Sequence, residues 1–186
     1  MINLFKVIVV ALCVLLIYNP VSANSDYTCI TLKEALKQSC DFFAEKCNGM
    51  RIVLANTVDY PKCNGRDGKR RYWNVIVNFP IEKQKNVLFI EDGIVRENTK
   101  VTWLNEPDMN INEIKIDTDY VVKKAENEFQ IKPGKGNPYF YGYQFSLEKQ
   151  KEMLFLCVKG FTKENKLIKV YYNPKNGMYL GSVKEN

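Results

Sequence analysis

The sequence predicts an α+β protein of two tandem α-β-β-β units, each with one helix packed on an antiparallel sheet. Three observations predict it. An amphipathic stripe follows Thr31, with Leu32, Leu36, Cys40, Phe43 and Cys47 on one face. A second stripe, Val121, Val122, Ala125 and Phe129, follows Asp117 at spacings near the 3.6 period. Each stripe is followed by short alternating segments separated by turn residues, the pattern of antiparallel strands. The boundaries that result are residues 1–23 as a signal peptide, 24–104 as the first unit, 105–116 as a linker and 117–186 as the second unit.

The first segment reads as an export signal. Met1–Lys6 is a short positive start, Val7–Ile17 an apolar run, and Val21-Ser22-Ala23 offers small residues at a cleavage site. The run is too short for a comfortable membrane span, so no transmembrane segment is expected after cleavage. Cys13 is preceded by Leu12, too large for a lipoprotein cleavage site. Residues 1–23 contain one lysine and no acid, so their removal takes the net charge from +6 to +5. A mild positive balance suits an acidic partner or contact with an anionic envelope surface. With no basic stripe on an exported chain, nucleic acid is not an expected partner.

Within the first unit, Thr31 and Glu34 form a capping box that opens the helix, and Asn48-Gly49 closes it. Met50–Tyr60 reads as a strand, and Pro61–Gly68 as a Gly- and Asn-rich turn region. Arg71–Phe79 alternates, with Trp73, Val75, Val77 and Phe79 on one side and Tyr72, Asn74, Ile76 and Asn78 on the other. Asn86–Ile90 and Ile94–Leu104 flank Asp92-Gly93, a hairpin signal. Asn105–Asn112 carries Pro107, Asp108 and three asparagines, the composition of a linker.

In the second unit, Asp117 or Thr118 can cap the helix, and Lys132–Pro138 reads as a breaker-rich loop. Tyr139, Tyr141, Tyr143 and Phe145 would share one strand face opposite Phe140, Gly142 and Gln144. The area these rings bury favours a core face beneath the helix; a ligand or polysaccharide platform is the functional rival. The stretch 153–180 reads as two strands, a turn and a last short strand. Val77–Val87 can be laid beside Val158–Ile168, each a strand, a charged turn and a second strand, so the chain reads as one unit written twice.

Five of the six cysteines survive cleavage, and an oxidising compartment would pair some of them. On a continuous helix Cys40 and Cys47 would stand about 10 Å apart at 1.5 Å per residue, beyond the reach of a disulfide. The expected bridge is therefore Cys47–Cys63, with Cys157 a buried thiol in an apolar strand. Zinc is disfavoured by the absence of histidine and of a close C-x-x-C pair.

The lack of histidine also removes the usual Ser-His and Cys-His nucleophilic sites. No phosphate-binding or dinucleotide-binding glycine pattern occurs, and no cofactor is expected. Glu126 and Glu128 diverge on a helix, and Glu91-Asp92 belongs to a turn. The chain reads as a non-enzyme.

Asp119–Ala125 and Lys169–Gly181 resemble the amphipathic helix and the closing strand, turn and strand of the PepSY domain. That family is a small α+β module of exported bacterial proteins and of some metalloprotease propeptides. In Asn173–Gly177, Pro174 presets φ for a tight turn and Gly177 can take a positive φ; Asn176 stands where the family usually has Thr. The resemblance covers about seventy residues, and the first half only by analogy with the second. It implies an inhibitory or regulatory protein-binding module with a peptidase as its partner, and it carries no catalytic residues. The exposed parts expected to bind are the Lys69-Arg70-Arg71 corner and the Lys132–Pro138 loop. A rival function is small-ligand or envelope-polymer binding through Tyr139, Tyr141 and Tyr143. A rival architecture is a single cystatin-like or NTF2-like domain in which one sheet wraps one helix.

Overall fold

The computed structural model describes residues 27–102, 106–136 and 140–185. The expected signal peptide lies outside them, as do Asn105 and Tyr139. No helix among the described residues is long and apolar enough to cross a membrane.

Helix α1 (Leu32–Phe43) opens with the capping box read from the sequence: Glu34 N–H donates to Thr31 Oγ1 at 3.3 Å, and Thr31 N–H donates to Glu34 Oε2 at 2.7 Å. The helix does not run on to Gly49. Ala44 takes φ 44°, and a 3₁₀ turn over Ala44–Gly49 doubles the chain back. Four strands follow as a meander: β1 (Arg51–Val58), β2 (Tyr72–Phe79), β3 (Gln84–Glu91) and β4 (Ile94–Val101). Asp92 and Gly93, both at positive φ, make the tight hairpin between β3 and β4. A two-residue strand, β5 (Met109–Asn110), and a 3₁₀ turn (Ile111–Glu113) lead to α2 (Thr118–Phe129). Then come β6 (Gly134–Gly136), β7 (Phe140–Gly142), β8 (Gln144–Gln150), β9 (Met153–Phe161), β10 (Leu167–Tyr172) and β11 (Tyr179–Lys184).

These strands overturn the expectation of two tandem units with sheets of their own. The described strands form one nine-stranded antiparallel sheet ordered β11-β10-β9-β8-β1-β2-β3-β4, with β5 also on β1 and the β6–β7 hairpin apart. The seam is the pairing of β1 with β8, where Leu54, Ala55 and Asn56 face Glu148, Leu147 and Ser146. Each half is a helix followed by a four-strand meander, and the meanders meet at their first strands. Segments 77–87 and 158–168 occupy matching places, running from the second to the third strand of each meander. A four-strand sheet with one helix would leave the edge of its first strand open; pairing the two first strands satisfies both edges.

Both helices lie on the same face, over one core that includes Leu32, Leu36, Trp73, Val75, Leu88, Val121, Val122, Leu147, Leu156 and Val170. The N-terminus of α2 caps that of α1. Lys33 N–H donates to Asp117 Oδ1 at 3.1 Å, and Leu32 N–H donates to Thr118 Oγ1 at 3.2 Å. Thr118 Oγ1 in turn donates to the Gly68 carbonyl at 2.6 Å, where a Cβ on residue 68 would overlap the backbone of Thr118 and Asp119. Residues 106–116, read as a linker, are pinned: Met109 is fully buried, and Lys115 and Ile116 N–H both donate to Pro174 O at 2.9 Å.

Candidate functional site

The expected basic corner is built inward. Arg70 is fully buried, and its Nη1 donates to the carbonyls of Cys63 and Tyr141, the latter at 3.1 Å. Its Nη2 donates to Val58 O at 3.3 Å and lies 3.4 Å from Asp59 Oδ1. Burial pulls its pKa below the ordinary guanidinium value, and Asp59 opposes that pull. Arg71 is held by Asp92 and Glu91 at 2.9 Å and stands over the rings of Tyr27, Tyr60 and Tyr72. The hydrogen bond to Asp92 holds its pKa above the ordinary guanidinium value. Lys69 is half-buried, its N–H turned to Asp67 Oδ1. These side chains tie loop 59–71 to the sheet and do not present a joint cationic surface.

The tyrosines are separated as well. Gly142, at φ 71°, lies where a Cβ would overlap the Asn64 carbonyl, and the strand breaks there. Alternation therefore restarts at Tyr143. Tyr141 is exposed, whereas Tyr143 is buried beneath α2, its hydroxyl 2.8 Å from Glu126 Oε1 and 2.9 Å from Ile131 O. Desolvation, reinforced by Glu126, pushes the Tyr143 phenol well above its ordinary pKa. Tyr141 and Tyr143 do not share a face. The Lys132–Pro138 loop is in part strand: Gly134–Gly136 pairs with β7, and Lys132 bridges Phe161.

The cysteine pairing also differs from the expected Cys47–Cys63 bridge. Cys47 pairs with Cys40, their Cα atoms 4.9 Å apart, and Cys63 pairs with Cys29 at 6.4 Å. The break at Ala44 is the reason, since its positive φ turns the chain back and so cancels the axial separation that a continuous helix would have put between Cys40 and Cys47. Among the described residues Cys157 is the free thiol; burial raises its pKa to about 12, leaving it protonated and inert.

The surface left for binding is the sheet face without helices. One cross-strand row runs the width of the sheet: Glu97, Phe89, Asn74, Asn56, Ser146, Cys157, Tyr171, Gly181. Phe89 and Tyr171 stand five strands apart on it, about 24 Å at the usual strand spacing. Beside it, Leu54, Ile76, Val87 and Phe89 form a half-buried apolar strip in the N-terminal half. A shallow cleft of about 290 Å³ there is lined by Asn74, Val87, Phe89, Glu97 and Thr99.

The C-terminal half of the same face is polar. A cleft of about 280 Å³ is lined there by residues that include Gln144, Glu148, Lys159, Lys169 and Tyr171. Lys159 and Lys169 stand directly opposite each other on β9 and β10, a like-charge pairing that disfavours the sheet. Lys169 is neutralised by Glu185 at 2.6 Å, a contact that raises the pKa of Lys169 and lowers that of Glu185. Among the described residues Lys159 makes no ion pair; its Nζ lies 5.0 Å from the centroid of the Phe140 ring, and its charge also helps to hold the Glu185 pKa down. The sequence contains a signal for this pair, a lysine inside each of two apolar strands, but their juxtaposition depends on a register that the sequence does not display.

No family model matches the chain, and no curated protein matches it. Among solved structures it is similar to a crystal structure described as a "putative lipoprotein" from Clostridium difficile 630, at 15% identity and a TM-score of 0.54. The match covers 80% of this chain and 91% of that one. At this identity the likeness is one of fold.

Proposed function

We propose that this chain is an exported, non-enzymatic binding protein that holds a partner protein against its helix-free sheet face. Export is supported by the two disulfides and by the N-terminal pattern of a positive start, an apolar run and small residues. The observation that carries the binding role is the pairing of Lys159 with Lys169 beside an apolar strip. Lys169 already has Glu185, so an acidic group of the partner would pair with Lys159, and apolar residues of the partner would cover Leu54, Ile76 and Val87. The partner is therefore a protein surface with an apolar ridge flanked by carboxylates. A peptidase is the class that the PepSY resemblance of residues 119–125 and 169–181 implies, with the chain restraining it.

The test is capture on the immobilised mature chain, from Asn24 onward, using envelope and culture extracts in parallel with Lys159→Glu and Ile76→Asp variants. A peptidase retained by the parent chain, lost by both variants and inhibited in proportion to added protein would support the reading. Equal retention by parent and variants would remove the helix-free face from consideration.

A further inference from the structure

A third cleft, on the helix side and independent of the surface described above, has the chemistry of a ligand site. One wall is α1 and the 3₁₀ turn that the Cys40–Cys47 disulfide folds back against it; the other is β5 with the Ile111–Glu113 turn. The enclosed volume is about 450 Å³, within the roughly 300–1,000 Å³ of small-molecule sites. Leu36, Met50, Ile111 and Ile114 give it an apolar floor with the disulfide at its end, and Asn48, Asn110 and Asn112 also line it.

The rim is cationic. Lys33, Lys37 and Lys115 stand on it with one carboxylate, Asp41, and Asp41 is taken by Lys37 at 2.7 Å. Among the described residues neither Lys33 nor Lys115 has a carboxylate partner; Lys33 Nζ reaches only the Lys115 carbonyl, at 3.5 Å. Two uncompensated ammonium groups beside an apolar hollow select for a ligand with one anionic end and an apolar body. Apolar surface drives entry, and the charges fix orientation and reject cations.

We propose that this cleft binds a carboxylate-headed acyl chain, the carboxylate between Lys33 and Lys115 and the chain over Leu36, Met50 and Ile114. The test is equilibrium titration calorimetry of the mature protein with dodecanoate, dodecanol and dodecylammonium below their micellar concentrations. The expected result is saturable dodecanoate binding at least tenfold tighter than dodecanol, with no binding of dodecylammonium.

The doubly substituted Lys33→Glu, Lys115→Glu chain is expected to lose at least tenfold in dodecanoate affinity at an unchanged melting temperature, both side chains being exposed. Lys159→Glu, on the opposite face, is expected to bind as the parent does. Equal affinity for dodecanoate and dodecanol, undiminished binding by the double variant, or loss of binding in Lys159→Glu would each overturn the assignment.

Discussion

The N-terminal and C-terminal halves share a topology and differ in almost everything attached to it. Each is a helix and a four-strand meander, and the two are joined through their first strands. In the N-terminal half the connection from β1 to β2 is long, residues 59–71, and it is held by the Cys29–Cys63 bridge and by buried Arg70. In the C-terminal half β8 and β9 are joined by a two-residue turn that needs no such ties. The free face carries an apolar strip in the first half and the two lysines in the second. Repeating a topology thus preserves the core and its edges and leaves side chains on the open face and in the loops free to diverge.

The sharpest way to break this contrast is Arg70→Ala. Its loss strips partners from the buried carbonyl of Cys63 and the part-buried carbonyls of Tyr141 and Val58 and opens a cavity, so urea unfolding with disulfides intact should show a loss of about 5 kcal/mol. The disulfides come next. The Cys29–Cys63 bridge spans 34 residues and Cys40–Cys47 spans 7, and chain entropy gives about 4 and about 2 kcal/mol for their paired Ser replacements. A reversed order would mean that the loops do not need the constraint assigned to them.

In the second half, Tyr143→Phe should cost about 1.5 kcal/mol, because it removes a buried hydroxyl bonded to Glu126 and Ile131. The folded-state pKa of this phenol is raised, so its contribution is intact below the ordinary value of 10.0 and is lost as pH rises beyond it. The alkaline loss of stability in the parent should therefore be shallower in Tyr143→Phe.

The smallest expected effect lies between the halves. Lys175 bonds Glu113 at 2.7 Å and lowers its carboxyl pKa below the ordinary 4.5, so the pair stabilises above that value and fades as pH falls through it. Both side chains are solvated, and Glu113→Gln should flatten the acid limb by about 0.5 kcal/mol or less.

Local features were the legible part of this sequence. The Thr31–Glu34 box, the Asp92-Gly93 hairpin, the buried row Trp73, Val75, Val77 and Phe79, and the Asn173–Gly177 turn each depend on a few neighbouring residues. In that last turn, Gly177 N–H donates to Asn173 O at 2.8 Å. Features that depend on long-range pairing were not legible. The β1–β8 seam joins residues 90 to 94 positions apart, and Arg70 reads as a surface charge until the carbonyls around it are placed. Two backbone breaks were decisive: Ala44 redirected a cysteine, and Gly142 divided a run of tyrosines.

The most direct test of the continuous sheet is urea unfolding followed by two probes on one sample. Trp73 is buried in β2 of the N-terminal meander, and the thiol of Cys157 is buried in β9 of the C-terminal one. A sheet joined at the β1–β8 seam predicts that tryptophan fluorescence and pulsed labelling of Cys157 report a single transition with the same midpoint. Two transitions, with Cys157 becoming reactive while the tryptophan signal stays native or the reverse, would contradict it.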